Sequence, residues 1–285
     1  MPANFLDLPE TLSNYANAKV VLLPIPYEQT VTYGKGTAKG PAAIIDASSQ
    51  IEFYDREFNC EPVNFFGIHT LPAVDKFEKI YIMAIKQIEN RKFLVGLGGE
   101  HSVSAPLVKA QAENSEKPIT VVQIDAHSDL RDSYLGSKNN HACVARRFFE
   151  TENVERIIQF GVRSISTEEI NFIKENTKRI KVFFAEDMDK SNWKDEFFSL
   201  ISGKQVYLSI DVDGLDPSVI AATGTPEPGG LTWRKTLDII RTLSNAANLI
   251  GFDCVELAPQ VGMHASDYAT AKLVYKTLAI KYNSK

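Results

Sequence analysis

The chain has 285 residues, 44% of them hydrophobic, and a formal net charge of −5, so it can bury a sizeable core and offers no electrostatic footprint for nucleic acid or an anionic membrane. Its three cysteines, Cys60, Cys143 and Cys254, form no CxxC, which excludes a disulfide framework and a thiolate zinc site and fits a reducing compartment. No apolar stretch approaches ~18 residues and no basic-then-apolar leader opens the chain, so a soluble cytoplasmic protein is expected.

Taken in chain order, "KVVLLPI" (19–25) reads as a buried strand, followed by a Gly/Pro-containing loop around 33–41. A helix is expected over 75–92, then strands over 92–98, 119–125 and 156–162. Ser166 and Glu169 have capping-box spacing at the head of a helix over 166–178. Strands over 180–185, 205–213 and 249–257 alternate with helices over 233–247 and 266–282, and the loop 214–230 is rich in Gly and Pro. Near-continuous β-branched runs suit strands covered on both faces. The alternation predicts one α/β domain spanning 1–285, a three-layer αβα arrangement around a mainly parallel sheet of about eight strands.

Polar residues that close an apolar run command interest, because open parallel sheets form their sites beyond the strand carboxyl ends. "FLVGLGGEHS" delivers Glu100 and His101, "TVVQIDAHSD" delivers Asp125, His127 and Asp129, and "VYLSIDVDGLDP" delivers Asp211, Asp213 and Asp216. In extended chain, alternate side chains point to one side, so DxHxD and DxD act as combs of ligands. A lone Asp after a strand is more often a turn former or N-cap, but three such motifs are poorly explained as independent caps. Crowded carboxylates repel and lose hydration unless cations offset them. Two divalent ions balance four aspartates. Oxygen-rich ligands with imidazoles favour Mn²⁺, with Ni²⁺, Co²⁺ or Fe²⁺ as other divalent options.

At these residues the chain resembles the ureohydrolase family, which includes arginase, agmatinase, guanidinobutyrase and formiminoglutamase. "GGEHS" (98–102), "DAHSD" (125–129) and "SIDVDGLDP" (209–217) stand in the family's order, and the likeness covers nearly the whole chain. It implies an arginase-like fold, with one Mn²⁺ on His101, Asp125, Asp129 and Asp211, a second on Asp125, His127, Asp211 and Asp213, and Asp125 and Asp211 bridging. It further implies a water activated between the ions that attacks a guanidinium carbon to give urea and an amine. His141 would shuttle protons, Glu256 would bind and orient the guanidinium, and Asp129 would hand a proton to the leaving amine. The stretch after DAHSD looks like the agmatinase version, so agmatine, giving putrescine and a place in polyamine biosynthesis, is the expected substrate. Guanidinobutyrase, arginase, guanidine hydrolase and formiminoglutamase activities are the alternatives, followed by a mononuclear zinc deacetylase-like hydrolase and a non-catalytic metal-stabilised subunit. By the same likeness a homo-oligomer, trimer or hexamer, is expected. Departures from the family pattern fall at Glu100, Asn140, Ala221, Ala222 and "APQVGMHASD" (258–267), in loops expected to shape the pocket.

The remaining candidates have plainer readings. His69 has no acidic comb beside it and reads as structural, and His264 reads as a loop histidine. Gly96, Gly98 and Gly99 do not form GxGxxG, so a nucleotide has little support. Cys143 and Cys254 read as small buried hydrophobes, and Arg146 and Arg147 as a solvated helix face or a subunit contact.

Overall fold

In the computed structural model, which describes residues 4–190 and 192–283, eight parallel strands form one sheet. In chain order they are β1 (Val20–Ile25), β2 (Ile68–Thr70), β3 (Phe93–Gly98), β4 (Ile119–Ile124), β5 (Val154–Phe160), β6 (Ile180–Phe183), β7 (Gln205–Asp211) and β8 (Asn248–Val255). Their order in space is β2-β1-β3-β8-β7-β4-β5-β6, parallel throughout. The helices are α1 (Glu10–Ser13), α2 (Gly40–Ser48), α3 (Val63–Phe66), α4 (Phe77–Glu89), α5 (Ser104–Glu113), α6 (Val144–Glu150), α7 (Thr167–Glu175), α8 (Trp193–Ile201), α9 (Trp233–Ala246) and α10 (His264–Asn283).

The strand period sorts the core into two layers. Val20 and Leu22 pack in one apolar cluster with Ile44 of α2, Leu243 of α9 and Leu278 of α10. Their neighbours Val21, Leu23 and Ile25 face the opposite cluster with Ile80 of α4, Leu107 of α5 and Phe148 of α6. Burial on both faces is what the unbroken apolar strand runs require. This is the expected three-layer arginase-like architecture.

The last strand, β8, lies between β3 and β7, and β4 follows on the far side of β7. The carboxyl ends of β3, β8, β7 and β4 are therefore side by side at the middle of the sheet, where the topology reverses and a crevice opens. β3, β4 and β7 run directly into the three polar motifs, and β8 runs into Glu256. Close backbone approach there needs glycine: a Cβ on Gly99 would lie 2.1 Å from the Tyr27 carbonyl oxygen, and one on Gly214 would lie 2.6 Å from the Asp125 nitrogen.

Some elements differ from expectation. α5 buries Leu107, Val108, Ala110, Gln111 and Ala112 on several sides, so it lacks the one-sided stripe that marks a surface helix. α2, for which no helix was expected, follows the loop expected around 33–41 and starts on its last two residues, Gly40-Pro41, a proline in the first turn that needs no N–H. His264 is not a loop residue: it is exposed and opens α10. Among the described residues no helix is long and apolar enough to cross a membrane.

Candidate metal centre

The convergence of Asp125, His127 and Asp129 does not come from strand pleating. β4 stops at Ile124, and Asp129 has a φ of 53°, in the left-handed region. A turn beyond the strand brings the carboxylates together. Glu169 holds that turn: its Oε1 accepts from Ser128 Oγ at 2.6 Å and from the Leu130 N–H at 3.0 Å. Its Oε2 meanwhile accepts from the Ser166 N–H at 2.9 Å, completing the capping box of α7. Glu256, just past β8, is also left-handed at φ 67°. Non-glycine residues persist there only where the surroundings over-determine them, and at Glu256 Oε1 is locked by the His101 N–H at 2.6 Å.

Two ligand groups result. His101 Nδ1 lies 3.1 Å from Asp125 Oδ2 and 3.2 Å from Asp129 Oδ2 and Asp211 Oδ2. His127 Nδ1 lies 3.1 Å from Asp213 Oδ2 and 3.6 Å from Asp125 Oδ1. His101, Asp125 and Asp211 form one cluster of metal-holding size and Asp125, His127 and Asp213 another. Asp125 is shared. Asp211, expected to bridge as well, falls in the first cluster, where its Oδ1 accepts the Asp213 N–H at 2.9 Å.

The hydrogen bonds behind His101 decide what the site can hold. Ser209 Oγ donates to Asp253 Oδ1 at 2.8 Å, so His101 Nε2, 3.0 Å from the same oxygen, must be the donor to it. A neutral ring then presents a bare Nδ1 lone pair to three carboxylates, and Nδ1 is buried without a hydrogen-bond partner. Only a cation between them makes that arrangement favourable. In the metal-free protein a proton takes this place: despite burial, the Asp125, Asp129 and Asp211 carboxylates hold the His101 pKa well above its ordinary value. The His127 pKa, likewise opposed by burial and raised by Asp125 and Asp213, is pushed up to about 12. Burial, then the Asp125 charge, raises Asp129 to about 7, while burial and the charges of Asp213 and Asp125 push Asp211 well up. Buried imidazole and carboxylate donors short of positive charge fit a pair of divalent cations.

Several supporting residues escaped the sequence reading because they sit inside apolar runs. Asp253 and Tyr207 are buried at the back of the His101 chain, with Tyr207 Oη donating to Asp253 Oδ2 at 2.7 Å. Gln123 Nε2 donates to Asp125 Oδ2 at 2.7 Å, and Gln159 Nε2 donates to Gln123 Oε1 at 2.9 Å. Arg163 clamps the loop after β7, donating to the carbonyls of Asp213 at 2.7 Å, Glu227 at 2.6 Å and Gly161 at 2.9 Å. Arg163→Met leaves those carbonyls unpaired and is expected to destabilise the fold by about 2–4 kcal/mol, read as a lowered denaturant midpoint with unchanged slope.

The centre opens to a cavity of about 280 Å³ that His141, Glu256, Arg131, Tyr134, Tyr33 and Thr225 help to line. Burial pushes the Glu256 carboxyl up to about 8 and lowers the His141 pKa. Asn140 and Ala221-Ala222 are not at the cavity wall. Asn140 is buried and its Oδ1 caps the turn bearing His141, accepting the Ala142 N–H at 3.0 Å; the N–H groups of Ala221 and Ala222 bind Ser266 Oγ.

His69 is structural, its Nδ1 2.8 Å from the Ser13 carbonyl. Arg146 and Arg147 are not a solvated face: both pair with Glu150, Arg147 also with Asp132, and Arg146 stacks 3.7 Å from the Phe172 ring centre. Cys143 is buried, and burial raises its thiol to about 11, so little thiolate exists at neutral pH. Cys143→Ala is expected to keep most of the wild-type turnover.

A model of the arginase family matches residues 18–279. The chain belongs to the arginase family. It is 41% identical to the N(1)-aminopropylagmatine ureohydrolase of a Synechocystis strain, covering 97% of this chain and 93% of that protein. It is 35% identical to the agmatinase of Bacillus cereus over 86% of each chain. Among solved structures, the agmatine ureohydrolase of Thermoplasma volcanium superposes with a TM-score of 0.83 at 30% identity, covering 96% of this chain and 93% of that one. This protein is an arginase-family hydrolase.

Proposed function

We propose that this arginase-family enzyme uses two divalent ions, Mn²⁺ first among them, to hydrolyse the guanidino group of an agmatine-type amine into urea and a free amine. The observation that carries this reading is the pair of ligand clusters sharing Asp125 at the floor of a cavity that also holds Glu256. When bound, the ion pair supplies a water acidified toward neutrality and a positive field over the reacting carbon.

The protein's own groups would do the rest. Glu256, fixed through its Oε1 to the His101 N–H, offers a carboxylate to the planar cation, and the arriving charge favours its ionised form. Asp129 would carry a proton to the departing amine. His141 would exchange protons between cavity and solvent.

On the substrate, the ions would offset Asp129, Asp211 and Asp213, and Arg131 lies 4.0 Å from Glu169, which leaves Glu256 as the lining carboxylate that faces a cationic ligand. Tyr33, 79% exposed at the rim, leaves room for an extended tail. The 41% identity to an aminopropylagmatine ureohydrolase over nearly full length favours N(1)-aminopropylagmatine; the agmatinase relatives support agmatine as the second reading. The test is urea release by the Mn²⁺-loaded protein from both amines, guanidinobutyrate, arginine and guanidine, beside formiminoglutamate hydrolysis. The expected result is the highest kcat/KM on aminopropylagmatine; no urea from any guanidine overturns the proposal, and one tightly held ion sufficing for full activity overturns the two-ion part.

A further inference from the structure

Thr30 is not part of the cavity wall, yet it touches His141 twice. Its Oγ1 accepts the His141 backbone N–H at 3.1 Å and lies 3.0 Å from His141 Nδ1. The same oxygen donates to Glu100 Oε1 at 2.8 Å. Glu100 is fully buried and accepts at every turn: from the N–H groups of Gln29 and Thr30 at 2.6 Å each, and from Ser102 Oγ at 2.6 Å.

A threonine hydroxyl has one proton and two lone pairs. The proton is committed to Glu100, whose oxygens already accept two backbone N–H groups and the Ser102 hydroxyl. One lone pair takes the His141 backbone N–H, so the other can meet His141 Nδ1 only if that nitrogen carries a hydrogen. A neutral imidazole has a single N–H. Its Nε2, across the ring from Thr30, is then the bare nitrogen. Burial lowers the His141 pKa, which keeps the ring in this neutral form. Edge-on contact with Tyr134, ring centres 6.3 Å apart at 88°, further restrains the plane.

We propose that Thr30, oriented by Glu100, is a positioning residue that locks His141 in the Nδ1–H tautomer and reserves Nε2 as its proton-accepting atom. The loop between β1 and α2 thereby acts on proton transfer without touching substrate. This rests on the role given above to His141. Glu100 also anchors the backbone beside His101, so Thr30 is the cleaner position to change.

The test begins with ¹⁵N signals of the histidine rings in the metal-free, full-length protein, with His141→Ala assigning its resonances. Wild-type His141 is expected to show a protonated Nδ1 and a bare Nε2; an Nε2–H tautomer overturns the proposal, and this measurement needs neither turnover nor a Thr30 variant. Thr30→Val keeps the shape and removes the hydroxyl. It is expected to mix the tautomers and to lower kcat about 10-fold or more, within the ~10²–10⁴-fold that a positioned acid–base group contributes. KM and bound metal should stay unchanged, and Thr30→Ser should restore both the tautomer and kcat. Thr30→Val with an unaltered tautomer, or Thr30→Ser as impaired as Thr30→Val, overturns the role. If the wild-type protein releases no urea, the functional reading fails while the ring signals still decide the tautomer.

Discussion

Asp125→Asn is expected to empty both metal positions and to reduce turnover on the order of 10³-fold or more, the several kcal/mol that metal polarisation supplies. Asp125 is the residue common to the two clusters, placing Oδ2 3.1 Å from His101 Nδ1 and Oδ1 3.6 Å from His127 Nδ1. An amide of the same shape cannot replace it. Oδ1 accepts the His127 N–H at 2.6 Å and Oδ2 accepts Gln123 Nε2 at 2.7 Å, so an NH₂ on either side meets a donor and leaves a buried group unsatisfied. Asp213→Ala provides the contrast. Asp213 belongs to the His127 cluster, so its loss should remove one ion and leave the His101 cluster able to bind. Elemental analysis of metal per chain beside urea release checks both variants. Asp125→Asn retaining the metal of Asp213→Ala would show that the carboxylate is not shared.

That contrast depends on turns and outer contacts, which are where sequence and structure part company. The parallel sheet was legible because strands buried on both faces leave unbroken runs such as "VVLLPI", and the polar motifs stand out at their ends. The DxHxD spacing identifies residues that the fold brings together, but the pleat is not the cause: Asp129 turns to φ 53° under the grip of Glu169. Glu169 was legible only as a cap, because its partners Ser128 and Leu130 lie some forty positions away in sequence. Gln123, Tyr207 and Ser209 lie within β-strands where single polar residues carry no periodic signal, and their meaning appears only when adjacent strands are paired. Thr30 illustrates the same limit. A threonine in the loop after β1 says nothing about a histidine 111 positions later.

Stripping the ions should make the protein's stability fall as pH rises from about 5.5 to about 8.5, whereas the Mn²⁺-loaded protein should vary far less. The buried acids set part of the sign. Asp129 at about 7 and Glu256 at about 8 hold protons in the folded chain that the unfolded chain releases near ~4. Over this window the unfolded state binds fewer protons, so raising pH favours it. The imidazoles act in the same direction. His127, raised to about 12, contributes stability that is complete below its unfolded pKa of ~6.5 and drains away as pH climbs toward the folded value. Asp125 is held below the carboxylate range by His101 and His127 against the cost of burial, so its contribution is lost only in stronger acid and stays flat here. Each unmatched proton changes stability by about 1.4 kcal/mol per pH unit, and at ~2–4 °C per kcal/mol for a domain of this size these groups together should lower the melting temperature in EDTA by roughly 15 °C or more. Divalent ions replace the same protons on His101 and the carboxylates, so their binding tightens as pH rises, and the thermal shift on adding Mn²⁺ should be larger at the alkaline end. Scanning calorimetry at the two pH values, with EDTA and with Mn²⁺, measures all four states. Equal Mn²⁺ shifts at both ends would mean that the ions do not displace the protons that His101 and its aspartates share.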